Sequence, residues 1–106
     1  MSDFYCDEVL SGKTKVEVVM ETTNVLAFYH TKPSYKSHIV VIPKKHIPSL
    51  ISLEEDDNPL LLEMLSVVKS IAEQTVSIHG ACRVVTNLGE YQDSKHLHWH
   101  VIYGSL

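Results

Sequence analysis

The chain has 106 residues, 44% of them hydrophobic and 21% charged, with a formal net charge of −4. That suffices for one domain, residues 1–106, with a modest core, and a mildly acidic chain has no general pull on nucleic acid, so any phosphate must be held by local groups. No apolar run approaches the length that spans a bilayer, Met1-Ser2-Asp3-Phe4 is no signal peptide, and two cysteines make no disulfide framework, so a cytoplasmic protein without membrane or nucleic-acid partners is expected.

Phe4, Tyr5, Val9 and Leu10 suggest a short helical turn ending at Ser11-Gly12. Residues 15–21 and 25–29 read as strands joined at Thr22-Thr23-Asn24, a hairpin. After a loop at 32–37, His38-Ile39-Val40-Val41-Ile42 reads as a strand buried on both faces and stopped by Pro43. Asn58-Pro59 predicts a helix cap followed by proline at the first helical position. Leu61, Met64, Leu65, Val68, Ile71, Ala72 and Thr75 then recur at helical spacing as far as Gly80. His79 reads as a cation partner for the helix C-terminus, and Cys82 as core. A strand at 83–87 and a polar loop at 88–95 lead into a last strand. Hairpin, strand, helix, strand, strand predicts an α+β fold on an antiparallel sheet.

The last strand is the informative one. In His96-Leu97-His98-Trp99-His100-Val101-Ile102, alternation puts three imidazoles on one face and Leu97, Trp99, Val101 and Tyr103 on the other. About 0.03 such triplets are expected by chance at this histidine content. With the apolar set under the helix, the imidazoles should look outward from the sheet. Two chemistries want such an array: a neutral imidazole attacking phosphorus, or three nitrogens converging on a metal.

The pattern His-apolar-His-apolar-His-apolar-apolar resembles the histidine triad (HIT) superfamily. The likeness extends through Leu26-Ala27-Phe28, Pro33, residues 38–47 and Arg83-Val84-Val85-Thr86-Asn87, which resemble the Hint-like, nucleotide-binding branch. The resemblance implies a five-stranded antiparallel sheet, one main helix, a short N-terminal helix and a homodimer. It also implies cleavage of nucleoside phosphoramidates or dinucleoside polyphosphates through a nucleotidyl-histidine intermediate, with a purine nucleotide as ligand. By position, His98 would attack the α-phosphorus and His100 would contact phosphate oxygens and pass a proton to the leaving group. His96 would position, and His38 would support His98. Asn87, Gln92, Ser94, Phe28 and His30 would contact substrate. The alternatives are a nucleotide-binding module without catalysis, or a metal-binding protein using the triad itself.

Several residues depart from the family pattern. His30 stands where an acidic residue usually grips the ribose hydroxyls, and imidazole cannot offer the two acceptors a diol prefers. Asp93 takes the usual place of a serine, with Ser94 beside it, and an aspartate there repels phosphate unless turned away. The Gly-Gly-Arg run and tail of relatives are lacking after Tyr103. No cofactor is required by the resemblance. Some bacterial members hold a structural zinc on two cysteines and two histidines, and here Cys6, Asp3, His46 and His96 would form the set. With aspartate for one thiolate it is a weaker set, and the plainer reading of Cys6 is a small packed residue. Lys44-Lys45 reads as a solvated edge.

Overall fold

The apolar run after His38 becomes the middle of the molecule. In the computed structural model, which describes residues 3–105, β3 (Ser37–Pro43) is the central strand of a five-stranded antiparallel sheet. Its partners are β1 (Val18–Glu21), β2 (Val25–Tyr29), β4 (Arg83–Val85) and β5 (Trp99–Tyr103), in the order β1-β2-β3-β5-β4. Met1, Ser2 and Leu106, on which the readings of the two chain ends drew, lie outside the described residues.

β3 is buried on both faces because each face is covered by something different. Ile39 and Val41 join Val25, Ala27, Leu97, Trp99 and Val101 against the helix α1 (Asn58–His79), which contributes Met64, Val67, Val68 and Ile71. On the opposite face Val40 and Ile42 join Leu26 and Phe28 under Tyr5 and Val9 of the N-terminal turn, Tyr5–Leu10. The short helical turn expected there is a π-helix.

The helix runs over the expected span, with Pro59 in its first turn and Gly80 in the left-handed region at φ +90, its N–H bonded to the Val76 carbonyl at 2.7 Å. Asn58 is not its cap. A 3₁₀ turn (Glu55–Asp57) runs straight into α1, so the Asn58 amide is already satisfied by the Glu55 carbonyl. His79 stacks on Tyr103, ring centroids 4.5 Å apart, in addition to sitting at the helix end. Leu65, expected on the buried stripe, is exposed. Lys44 and Lys45 are paired with Glu21 at 2.5 Å and Asp57 at 2.8 Å. No helix among the described residues is long and apolar enough to cross a membrane.

The strands are shorter than the sequence pattern suggests. β1 starts at Val18 and is bulged between Val18 and Met20, while β4 ends at Val85. β5 joins the ladder only at Trp99. Pairing with β3 runs from Val41↔Trp99 to Ser37↔Tyr103, which leaves His96 and His98 ahead of it. Trp99, the sole tryptophan, is buried on the helix side with its indole N–H unpartnered among the described residues.

Truncating Ile71, wholly buried between α1 and the sheet, is expected to lower the unfolding free energy by about 2–5 kcal/mol. Urea denaturation of Ile71→Ala measures it, and a loss under about 1 kcal/mol would show that the helix is held elsewhere.

Candidate active site and metal centre

The histidines are not turned out to solvent as the alternation alone suggests. His96 is fully buried, His98 is 4% exposed and only His100 is half-buried. The cover is the N-terminal turn, whose Tyr5 ring lies 4.8 Å from the His98 ring and 5.9 Å from that of His96. The face pattern itself holds, because Leu97, Trp99 and Val101 all pack toward α1.

Hydrogen-bond partners assign the ring protons. The His98 Nδ1–H donates to the His96 carbonyl oxygen at 2.7 Å, which leaves Nε2 of His98 bare. The Ser34 N–H donates to Nδ1 of His38 at 3.1 Å, so His38 carries its proton on Nε2 and donates it to Nδ1 of His100 at 2.8 Å. His100 must then hold its own proton on Nε2. A bare nitrogen and an N–H donor thus stand on rings whose centroids are 4.9 Å apart. These assignments hold while the rings are neutral, and the surroundings keep them so. Burial, aided by neighbouring imidazoles, pushes both His38 and His100 down to about 4. Burial also lowers His98, against the opposing pull of its bond to the His96 carbonyl.

His38 therefore bonds His100. Antiparallel register opposes Val40 to His100 and His38 to Ile102, which brings the two rings together across β3 and β5. His30 stacks on His38 with centroids 4.3 Å apart, and its Nδ1 accepts the Lys32 N–H at 2.9 Å. Tyr35 meets His38 edge-on at 5.2 Å. Phe28 is fully buried beneath Tyr5 and forms floor rather than open wall. Gln92 is buried, with its amide nitrogen donating to the Pro48 carbonyl at 2.6 Å. Ser94 is buried with its hydroxyl unpartnered among the described residues, while Asn87 is half-buried and Asp93 exposed. The sequence placed Tyr5 in a helical turn and Thr86 in a strand, and gave neither a part beside the histidines. Thr86 donates its hydroxyl to the His98 carbonyl at 2.8 Å, and only its place beside a strand hinted at that.

A second cluster adjoins the first. The ligand atoms of Asp3, Cys6, His46 and His96 lie within 4.8 Å of one another. His96 donates from Nε2 to the Pro43 carbonyl at 2.8 Å, so in the neutral ring the Nδ1 lone pair faces Oδ2 of Asp3 at 2.9 Å. Two acceptors at that distance need a cation between them, a proton or a metal. Sγ of Cys6 is 3.3 Å from Nδ1 of His96, and Nδ1 of His46 is 2.5 Å from Oδ2 of Asp3. Burial pushes the Asp3 carboxyl up, but bonds from the Cys6 N–H and from His96 outweigh it and hold it at about 2. Carboxylate, thiol and two imidazoles are a donor set that suits zinc. Among the described residues no metal group forms from the triad itself, which contributes only His96 to this one.

The family described as scavenger mRNA decapping enzyme C-terminal binding matches residues 4–106. A protein named uncharacterized HIT-like protein, from Chlamydia muridarum, is 31% identical over 102 residues, 94% of this chain and 80% of its own. A HIT family hydrolase from Legionella pneumophila superposes with a TM-score of 0.84 at 30% identity, over 99% of this chain and 95% of that one. A hypothetical histidine triad nucleotide-binding protein from Sulfolobus tokodaii does so at 0.80 and 27%, over 95% and 68%.

Unfolded imidazoles titrate near 6.5 and so bind protons that folded His38 and His100 refuse down to about 4. Stability should therefore be complete above about pH 6.5 and decline as pH falls toward 4. Melting temperatures taken in chelator from pH 7 to 4.5 should show this decline, and His38→Gln should flatten part of it. A flat wild-type profile would contradict buried neutral rings.

Proposed function

The chain belongs to the scavenger mRNA decapping enzyme C-terminal binding family within the HIT-like superfamily, and from this we propose that it cleaves nucleotidyl groups from phosphoramidates or dinucleoside polyphosphates. The observation that carries the reading is the bare Nε2 of buried, neutral His98 beside the Nε2–H of His100. Nε2 of His98 attacks the α-phosphorus and forms a P–N bond as the bond to the leaving group breaks. The ring then holds a proton on Nδ1 and phosphorus on Nε2, and its positive charge is steadied by the His96 carbonyl. An amine leaving group takes the Nε2 proton of His100, and the water that later attacks phosphorus returns a proton to that nitrogen as the P–N bond breaks, which frees the nucleotide and restores both neutral rings. His38 orients His100, and His96 orients His98. The buried, unpartnered Ser94 hydroxyl is a donor awaiting a phosphoryl oxygen, since buried polar groups are otherwise bonded.

The hydrolase in the name of the Legionella protein and the nucleotide binding in that of the Sulfolobus protein support this reading. The finer assignment is to the Hint-like branch, with a purine nucleotide whose nucleoside lies toward β2, near Phe28 and His30, and with Asn87, beyond β4, toward the phosphate. No cofactor takes part in the reaction. A homodimer is in keeping with the free edge of β4 and with Val84, Leu62 and Leu65, which are exposed. A cytoplasmic location suits the unpaired Cys6 and Cys82.

Measuring AMP and GMP release across phosphoramidates and dinucleoside polyphosphates is the test, with His98→Asn alongside. The variant is expected to keep its circular dichroism spectrum and lose at least about a thousandfold in kcat, as nucleophile removal does elsewhere. Turnover near the wild-type rate would reassign the nucleophile. AMP binding without any turnover would leave a binding module instead.

A structural zinc on Asp3, Cys6, His46 and His96 belongs to the same reading. It would supply cross-linking, tying the N-terminal turn to the triad, and no chemistry at phosphorus. Elemental analysis of untagged protein should find about one zinc per chain, lost in Cys6→Ala. Substoichiometric metal in the wild type would remove it.

A further inference from the structure

The pairing of β2 with β3 continues one residue past the end of β2. The His30 N–H donates to the His38 carbonyl at 2.9 Å, so His30 follows Leu26 and Phe28 on the histidine face. There its half-buried ring stacks on His38 and lies 6.3 Å from the ring of His100. The steps at phosphorus leave this fourth imidazole without a task. Its hydrogen bonding fixes what it offers. Nδ1 accepts the Lys32 N–H at 2.9 Å, so the neutral ring holds its proton on Nε2 and presents one N–H donor. Burial holds the ring below the ordinary imidazole range, and no carboxylate lies near enough to counter that.

The surroundings favour an anion. No acidic residue occurs from Val25 to Leu53, a stretch that holds Lys32, Lys36, Lys44 and Lys45. Lys44 and Lys45 pair with Glu21 and Asp57, whereas Lys32 and Lys36 are exposed and enter no ion pair among the described residues. In a chain of net charge −4 the loop after His30 is thus locally cationic. A ribose 2′,3′ diol brings two O–H donors and gains most from a carboxylate, which accepts both. A lone N–H makes one neutral bond with a diol. With a phosphate oxygen it makes a charge-assisted bond, the stronger kind.

We infer that His30 selects the sugar of the substrate, and that the site takes nucleotides carrying a second phosphate on the 2′ or 3′ oxygen of the ribose. The inference rests on the nucleotidyl-transfer reading above and names its substrate class. With the 5′ phosphorus at His98 and His100, the sugar extends toward β2, and its 2′ and 3′ oxygens lie at the end remote from phosphorus. His30 stands on that side, one imidazole beyond His100. Its Nε2–H donates to the second phosphate, and Lys32, two residues on, adds positive charge at the rim. A bare ribose offers His30 a neutral hydroxyl and gives Lys32 nothing to attract.

Titration calorimetry on His98→Asn compares AMP with adenosine 2′,5′-bisphosphate and adenosine 3′,5′-bisphosphate. One bisphosphate should bind at least about tenfold more tightly than AMP, the scale of a charge-assisted hydrogen bond, and its identity places the phosphate on the 2′ or the 3′ oxygen. Adding His30→Phe keeps a ring stacked on His38 but removes the N–H, and should cut the preference to about threefold or less. His30→Gln restores an N–H and should recover part of it, while His30→Asp should reverse the order in favour of AMP. Equal affinities for the three ligands, or a preference that His30→Phe leaves unchanged, would overturn the selection. Turnover is read separately. A wild type that cleaves adenosine 5′-phosphoramidate without the bisphosphate preference keeps the transfer reading and loses this one. The preference without cleavage of any substrate does the reverse, and binding of none of the three ligands rejects the subsite.

Discussion

The hydrogen bond from the His98 ring to the carbonyl of His96, 2.7 Å long, decides which nitrogen of the central histidine is bare. Reverse that ring and the lone pair faces a carbonyl oxygen while the proton sits on Nε2. The bond closes between residues two apart, so it depends on the backbone of 96–98 staying extended just ahead of the β5 ladder. Three anchors hold that stretch. The Leu97 side chain is buried against the helix-side core, the Leu97 N–H donates to the Ile47 carbonyl at 2.6 Å, and the Thr86 hydroxyl reaches the His98 carbonyl. The His98 ring is thus oriented by main chain, which cannot titrate.

A second hydrogen-bond chain runs across the sheet, from the Ser34 amide through His38 to His100, and it too has one direction. Its start is a main-chain donor, so the proton on the far ring has one place left to go. Burial maintains both arrangements by disfavouring the imidazolium form. The two halves of the core therefore have separate tasks. The α1 side supplies most of the apolar burial and fixes the sheet, and the N-terminal turn closes over the histidines. Tyr5 lies between Asp3 and Cys6 in sequence, so whatever cation joins those two residues also sets how firmly the turn is seated.

Much of the fold was legible because local and global preferences agree. Periodicity marked α1, and a β-branched run ended by Pro43 marked β3. The alternation from His96 to Ile102 gave the faces of the last strand, since Leu97, Trp99 and Val101 have only one apolar partner large enough, the helix. What could not be read were long-range placements. Nothing around Tyr5 says that it will cover residues more than ninety positions away, and so His96 and His98 looked exposed. The partner of His38 depends on strand register, which sequence spacing does not reveal. Gln92 looks like a ligand contact in sequence, and its amide nitrogen is spent on the Pro48 carbonyl. The cluster of Asp3, Cys6, His46 and His96 was reached through resemblance.

The sole tryptophan lies in the same short strand as His100 and on its opposite face. Trp99 is flanked by His98 and His100, buried against α1, and its N–H has no partner among the described residues. An indole in so apolar a setting emits at short wavelength and is poorly reached by quenchers in water. With no second tryptophan to mix signals, its fluorescence is a built-in gauge of the register between β5 and the helix.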